Sequence, residues 1–288
     1  MKTQGYLQVE KRESPKRNEV QYNGLKNQGA TCYLNAVLQC LFMTPKFREA
    51  LVSYEAPRDC GEEHLLLQLK KLFEQLSQKT ATTEGITKSL GVRNVFEQQD
   101  AVEYYRKILK AVGTPPSEVF EGKMSNIAKC CNCGKKTKET STFISILLSI
   151  DVGNHEMYDV ENGLQTFFNH SKLEEDDWMY CDNCDQKTET ETWSEINEYP
   201  SVLTLHLKRF DFDYIQMRFK KNDCYLNVPP SLQNRDIKPK YDLYAVINHK
   251  GGYTGGHYDA IIRSYENKLW YCFDDYTVKQ TSEESLNK

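Results

Sequence analysis

The chain has 288 residues, 39% apolar and 11% aromatic, enough for one large folded unit or two small ones with a sizeable core. Its 37 lysines and arginines nearly balance 41 acidic residues; the net charge of −4 lacks the basic surplus of a nucleic-acid binder. No apolar run approaches the ~20 residues of a membrane-spanning helix, and the N-terminal "MKTQGYLQVEKRESPKRNEV" lacks the apolar stretch of a signal peptide. A cytoplasmic or nuclear setting is therefore expected, with neither membrane nor nucleic acid as a partner.

In chain order, residues 1–20 are charged and aperiodic and read as a disordered tail. From Gly24 a pattern begins. "TCYLNAVLQCLF" sets Leu34, Val37, Leu38, Leu41 and Phe42 at helical spacing, and Pro45 closes it. A second helix is predicted over about 63–77, with Leu65, Leu66, Leu69, Leu72, Phe73 and Leu76 on one side. A third is predicted over about 98–112, through Ala101, Val102, Tyr105, Ile108 and Leu109, until "GTPPSE" breaks it. The texture then turns to β-rich runs between turn residues, at 141–150, 200–210, 241–249, 258–264 and 269–273. Helices first and strands last, with an insertion between, describe an α+β fold.

Two features of this frame carry chemistry. Cys32 falls at the first turn of the first helix, where backbone N–H groups and the positive end of the helix dipole favour a thiolate. Thr31 is placed to cap that helix, and the Asn27 amide can donate toward an oxygen near the sulfur. Taken alone, Cys32 reads first as a buried structural cysteine at a helix cap. A base is supplied by His257, in the glycine-rich "GGYTGGHY", which opens a β-run; the next strand ends "WYCFDD" and returns Asp274 to the imidazole. A carboxylate there fixes the tautomer, so the ring can take a thiol proton and later protonate a leaving amine. Cysteine on a helix and histidine on a strand is the papain-like arrangement.

Ten cysteines in a reducing compartment point to metal or catalysis rather than disulfides. Cys130-x-x-Cys133-Gly and Cys181-x-x-Cys184 have the spacing of a four-thiolate zinc site. Cys131 competes with its neighbours as a ligand, and the Gly134 after Cys133 favours the 130/133 choice. The acidic "KLEEDDW" at 172–178 reads as a solvated loop.

"GLKNQGATCYLNAVLQCL" together with "GGYTGGHYDAIIR" and "WYCFDD" resembles the two signature boxes of the ubiquitin-specific protease family of deubiquitinases. The resemblance runs from about residue 22 to 280. It implies a papain-like core with a helical thumb (about 21–125), an inserted zinc-binding β finger region (about 126–200) and a β-rich palm (about 201–288). It implies hydrolysis after the C-terminal Gly-Gly of ubiquitin, with Cys32 as nucleophile, His257 as base, Asp274 orienting the ring and Asn27 in the oxyanion hole. Asp275 matches a second acidic position that assists the oxyanion hole or the histidine in some members.

"EQQDAVEYYRKIL" resembles the family's substrate-facing QQDAxEF box. Gln98, Asp100 and Glu103 would then receive the arginine-bearing tail of ubiquitin; as bare sequence the same residues read as a helix cap and a solvated first turn. "LHLKRF" resembles the palm strand, with Phe210 at the channel and His206 structural. Gly255 and Gly256 would leave room for a diglycine tail, with Tyr258 beside it. Zinc in the fingers is implied as structural, with no catalytic cofactor. The partners implied are ubiquitin or a ubiquitin-like modifier and the proteins conjugated to it.

The family's closing palm strand has no counterpart in "TSEESLNK", so a palm lacking that strand is expected, with an exposed sheet edge. A catalytically weak ubiquitin-binding adaptor stays open as an alternative. So does a protease for another Gly-Gly-ended modifier, such as the interferon-induced ubiquitin-like protein.

Overall fold

The computed structural model describes residues 21–55, 61–150, 157–233, 237–253 and 255–287. The tail expected over residues 1–20 lies outside them. The first predicted helix is α1, Cys32–Phe42, buried along nearly its whole surface. A helix apolar on all sides is one enclosed by other elements, and α1 is the centre of the main core. Pro45 does end the α1 pattern, but it also stands in the first turn of α2, Pro45–Ser53, where a missing N–H costs nothing. α3, Leu65–Leu76, buries all six predicted residues. The short α4, Glu84–Ser89, was not legible in the sequence. α5, Ala101–Val112, is capped by Asp100, whose carboxylate accepts the Glu103 N–H at 2.9 Å. Phe47 is fully buried among these helices, with its ring against Phe73 and Phe120.

Two four-stranded sheets follow. The first holds β1 (Gly122–Cys130), β2 (Lys136–Phe143), β3 (Ser171–Lys172) and β4 (Thr190–Glu198), in the antiparallel order β2-β1-β4-β3. Thr190 pairs with Cys130, so the ends of β1 and β4 meet at the cysteine knuckles. The predicted run 141–150 divides: β2 ends at Phe143, and Ile146–Ser149 pairs in parallel with Leu205–Lys208. A helix that the sequence did not suggest, α6 (Val160–Phe168), covers this pair and joins Ile146, Leu148, Leu164 and Phe168 in a second core.

The second sheet is an antiparallel meander of β5 (Ala245–Gly251), β6 (Gly256–Arg263), β7 (Trp270–Asp274) and β8 (Thr277–Thr281). Alternation along β6 is complete: Tyr258, Ala260 and Ile262 enter the main core, while Ile261 turns to a third cluster with Trp270 and Leu286. The core face of β6 and β7 rests on α1. Cores of this kind are worth about 25 cal/mol per Å² of apolar surface removed from water, and here that packing brings the start of α1 against the start of β6.

Candidate active site

Cys32 is the first residue of α1 and is 2% exposed. Burial is the largest influence on its thiol and raises the pKa; the Tyr258 N–H facing the sulfur lowers it, Asp275 raises it, and the N–H groups of Tyr33 and Cys32 lower it. The helix-start effect read from the sequence is therefore present but outweighed by burial, which raises the thiol's pKa. Thr31 occupies the cap position without capping; its hydroxyl accepts the Gln28 N–H at 3.0 Å instead. The preceding loop closes on Asn27, whose Oδ1 accepts the N–H groups of Gly29 at 2.8 Å and Thr31 at 3.0 Å.

The imidazole sits on the next layer. His257 Nε2 bonds Asp274 Oδ1 at 2.6 Å, from β6 to the last residue of β7. In the neutral ring this bond puts the proton on Nε2 and leaves the Nδ1 lone pair as the proton acceptor. The Tyr258 N–H on the Cys32 sulfur places that sulfur one residue along the chain from His257. Asp275, in the β7–β8 turn at φ +49°, takes the Asn27 amide on Oδ2 at 2.9 Å and the Asn35 amide on Oδ1 at 2.8 Å. Short polar residues such as aspartate tolerate that left-handed backbone. Nitrogen and carboxylate atoms of His257, Asp274 and Asp275 lie within 4.8 Å of one another. The structure thus gathers Asn27, Cys32, His257, Asp274 and Asp275 from two ends of the chain. Asn35 joins them without any sequence signal beyond its place one turn along α1.

Each residue expected to receive a substrate tail already has a partner. Gln98 Nε2 donates to Gly256 O, Asp100 caps α5, and Glu103 pairs with Lys107 at 2.6 Å on the surface. A cleft of about 790 Å³ is lined by Asp100, His206, Phe210, His249 and Tyr258, among others. Phe210 meets His249 edge-on at 5.3 Å. Tyr258 is 8% exposed and belongs to the main core as well as to the cleft wall, and burial, then the Asp100 charge, pushes its phenol up to about 12. His206 and His249 have buried Nδ1 atoms without partners among the described residues, and burial lowers both pKa values.

The glycines divide by role. A Cβ on Gly256 would lie 2.4 Å from His249 Nε2 and from Lys250 O, so that position needs glycine for the hairpin's own packing. Gly255 meets nothing within 4 Å. Lys221 ties the hairpin down, donating to the carbonyls of His249 at 2.9 Å and Gly251 at 3.0 Å.

At the far end, the sulfurs of Cys130, Cys133, Cys181 and Cys184 lie within 4.8 Å of one another and could hold a metal ion. Cys130 and Cys184 are 3.9 Å apart, and Cys133 and Cys181 3.6 Å. A tetrahedral zinc with bonds of about 2.3 Å sets sulfurs about 3.8 Å apart, so the donors fit. The Thr188 hydroxyl on Cys130, at 3.1 Å, is the main influence taking that thiol down to about 6. Cys131 is outside the cluster; its N–H goes to Glu189 O.

Residues 23–288 match the family model described as ubiquitin carboxyl-terminal hydrolase. Among curated proteins, the chain is 28% identical over 357 residues to ubiquitin carboxyl-terminal hydrolase 47 of Drosophila melanogaster, covering 93% of this chain and 23% of the relative. It is 31% identical over 280 residues to ubiquitin carboxyl-terminal hydrolase 40 of Homo sapiens, covering 85% and 22%. The chain thus spans roughly a quarter of the length of these relatives. Its fold is similar to a chain of the SAGA DUB module of Ubp8, Sgf11, Sus1 and Sgf73 bound to monoubiquitin. The TM-score there is 0.78 and the identity 23%, over 92% of this chain and 66% of the other.

Proposed function

We propose that the chain, which belongs to the ubiquitin carboxyl-terminal hydrolase family, is a thiol-dependent deubiquitinase cutting the isopeptide or peptide bond after the terminal glycine of ubiquitin. The observation carrying this reading is that a buried thiol at the start of α1 faces the N–H of Tyr258, the residue next to the carboxylate-held imidazole of His257 on β6. His257 Nδ1 takes the Cys32 proton, and the thiolate attacks the glycine carbonyl carbon. The carbonyl oxygen gains a negative charge that the Asn27 amide and the N–H at the helix start receive. The thioester forms as the C–N bond breaks, and His257 returns its proton to the departing lysine amine. Water, deprotonated by His257, then opens the thioester and frees the carboxylate of ubiquitin. Asp274 holds the ring and stabilises the imidazolium throughout.

The 790 Å³ cleft beside Phe210 and Asp100 is the proposed path of the substrate tail. Cys130, Cys133, Cys181 and Cys184 would hold zinc, which when bound pins the two knuckles together and supplies no chemistry at Cys32. Residues 21–125 serve as thumb, 126–200 as fingers and 201–288 as palm in this reading.

Ubiquitin carrying an electrophilic C-terminus tests the proposal. An adduct on Cys32, absent in Cys32→Ala, is expected. No adduct with a ubiquitin probe, or an adduct with a probe built on another Gly-Gly-ended modifier instead, would overturn the assigned substrate.

A further inference from the structure

Two amide side chains are enclosed in α1: Gln39, which donates to Asn23 O, and Asn35, which reaches the turn after β7. Asn35 is 2% exposed, and its Oδ1 is buried with no hydrogen-bond partner among the described residues. Asparagine is a poor helix-interior residue, and an orphaned buried oxygen is destabilising. Packing alone does not account for such a residue one turn into α1.

Its amide nitrogen does have a destination. Asn35 Nδ2 donates to Asp275 Oδ1 at 2.8 Å, and reaches Leu25 O only at 3.5 Å. The acceptor-only carboxylate fixes which end of the amide faces it. The other oxygen of Asp275 receives Asn27 Nδ2, and Asn27 Oδ1 is held by the N–H groups of Gly29 and Thr31. The donor is therefore clamped at both ends, through a carboxylate that is itself clamped. The turn's backbone supports the same arrangement: Leu25 N–H donates to Asp275 O at 2.8 Å, and a Cβ on Gly24 would lie 2.4 Å from the backbone of Tyr276.

We propose that Asn35 is a positioning residue for the oxyanion site: by fixing the rotamer of Asp275, it keeps the second N–H of the Asn27 amide aimed at the reacting carbonyl oxygen. This rests on the proposed hydrolysis and goes beyond it, because it assigns the geometry of the oxyanion donor to a side chain that acts through the Asp275 carboxylate. The amide's donor end meets the carboxylate, and its acceptor end is carried into the core with it.

The test separates alkylation, which needs the thiol but no oxyanion site, from hydrolysis, which needs both. Asn35→Leu should still be labelled at Cys32 by the electrophilic ubiquitin probe, while kcat on a fluorogenic ubiquitin substrate falls about 100-fold, the lower range for loss of one oxyanion donor. KM should change little. In an Asn27→Ala background, Asn35→Leu should remove nothing further, since the donor it aims is already gone. Asp275→Asn, on the partly exposed turn, should copy the kcat loss by setting an N–H against one of the two incoming amides. Labelling with undiminished hydrolysis in Asn35→Leu would overturn the proposal. So would losses that add in the double variant, or loss of labelling together with hydrolysis, which would assign Asn35 to packing. Failure of the parent protein to label would instead strike the hydrolase reading itself.

Discussion

Replacing Gly256 by alanine probes how tightly the histidine hairpin is built. The new Cβ would lie 2.4 Å from His249 Nε2, 2.4 Å from Lys250 O and 2.8 Å from His249 Cε1. Ordinary contact begins near about 3.4 Å, so roughly 1 Å must be found. His249 cannot swing away, because Phe210 at 5.3 Å and Tyr258 at 4.5 Å flank its ring. Lys250 O is backbone, opposite His257 in the β5–β6 ladder. The displacement therefore falls on the start of β6, where it carries His257 and detaches Gln98 from Gly256 O. Overpacking of this kind costs about 1–3 kcal/mol, or roughly 2–12 °C of melting temperature for a chain of this size. A 1 Å misplacement of a catalytic group costs about 100-fold. Calorimetry and hydrolysis of a fluorogenic ubiquitin conjugate would read both. Gly255→Ala supplies the contrast, since its Cβ meets nothing within 4 Å and should leave the melting temperature unchanged. A Gly256→Ala protein with parent-like melting and parent-like kcat/KM would refute the reasoning.

Two further outcomes follow from the charges and the thiols. The Cys32 thiol is raised by burial, so its alkylation by iodoacetamide should climb only as pH passes the ordinary thiol value of about 8.5. The same shift lets the folded state keep this proton after the unfolded chain has lost it, so the group lowers stability as pH rises above that value; an alkylation rate already at its plateau by neutral pH would contradict both. Stripping the four-cysteine cluster with a strong chelator, or making Cys184→Ser, should lower the melting temperature while the folded protein still alkylates at Cys32. An unchanged melting temperature would remove the structural metal.

How much of this was legible in the sequence depended on whether one side of an element meets solvent. α3 and α5 announce themselves because a single apolar stripe repeats at helical spacing. α6 hides because "VENGLQTFF" carries Gly163, a helix-weakening residue that the structure needs: a Cβ there would run into the Tyr158 hydroxyl. The exposed strand β2, "KTKETSTF", has no apolar side to alternate, so only its end entered a predicted run. At the site, Cys32, His257 and Asp274 were readable because their motifs lie in the chain itself. The state of the thiol was not, since the helix-start contribution is local while the burial that overrides it comes from residues far along the sequence. Asn35 was invisible for the same reason: nothing near it in sequence says that Asp275 lies above it.

The placement of reactive groups follows from packing rather than from contacts among themselves. Successive residues of β6 face opposite ways, so with Tyr258, Ala260 and Ile262 buried in the core His257 stays at the strand's partly exposed start, held by Asp274. The same burial points the Tyr258 N–H at the sulfur. One residue of register change in β6 would move every one of these apolar side chains out of the core and His257 into it, a cost no single polar contact at the site could offset. The two-residue turn at Asp275 and Tyr276 works likewise: Asp274, still within the β7–β8 ladder, faces the imidazole, and Asp275, at positive φ, turns to the asparagines. His257 and Asn27 are thus held by consecutive carboxylates on one turn, so a backbone change there reaches both side chains at once.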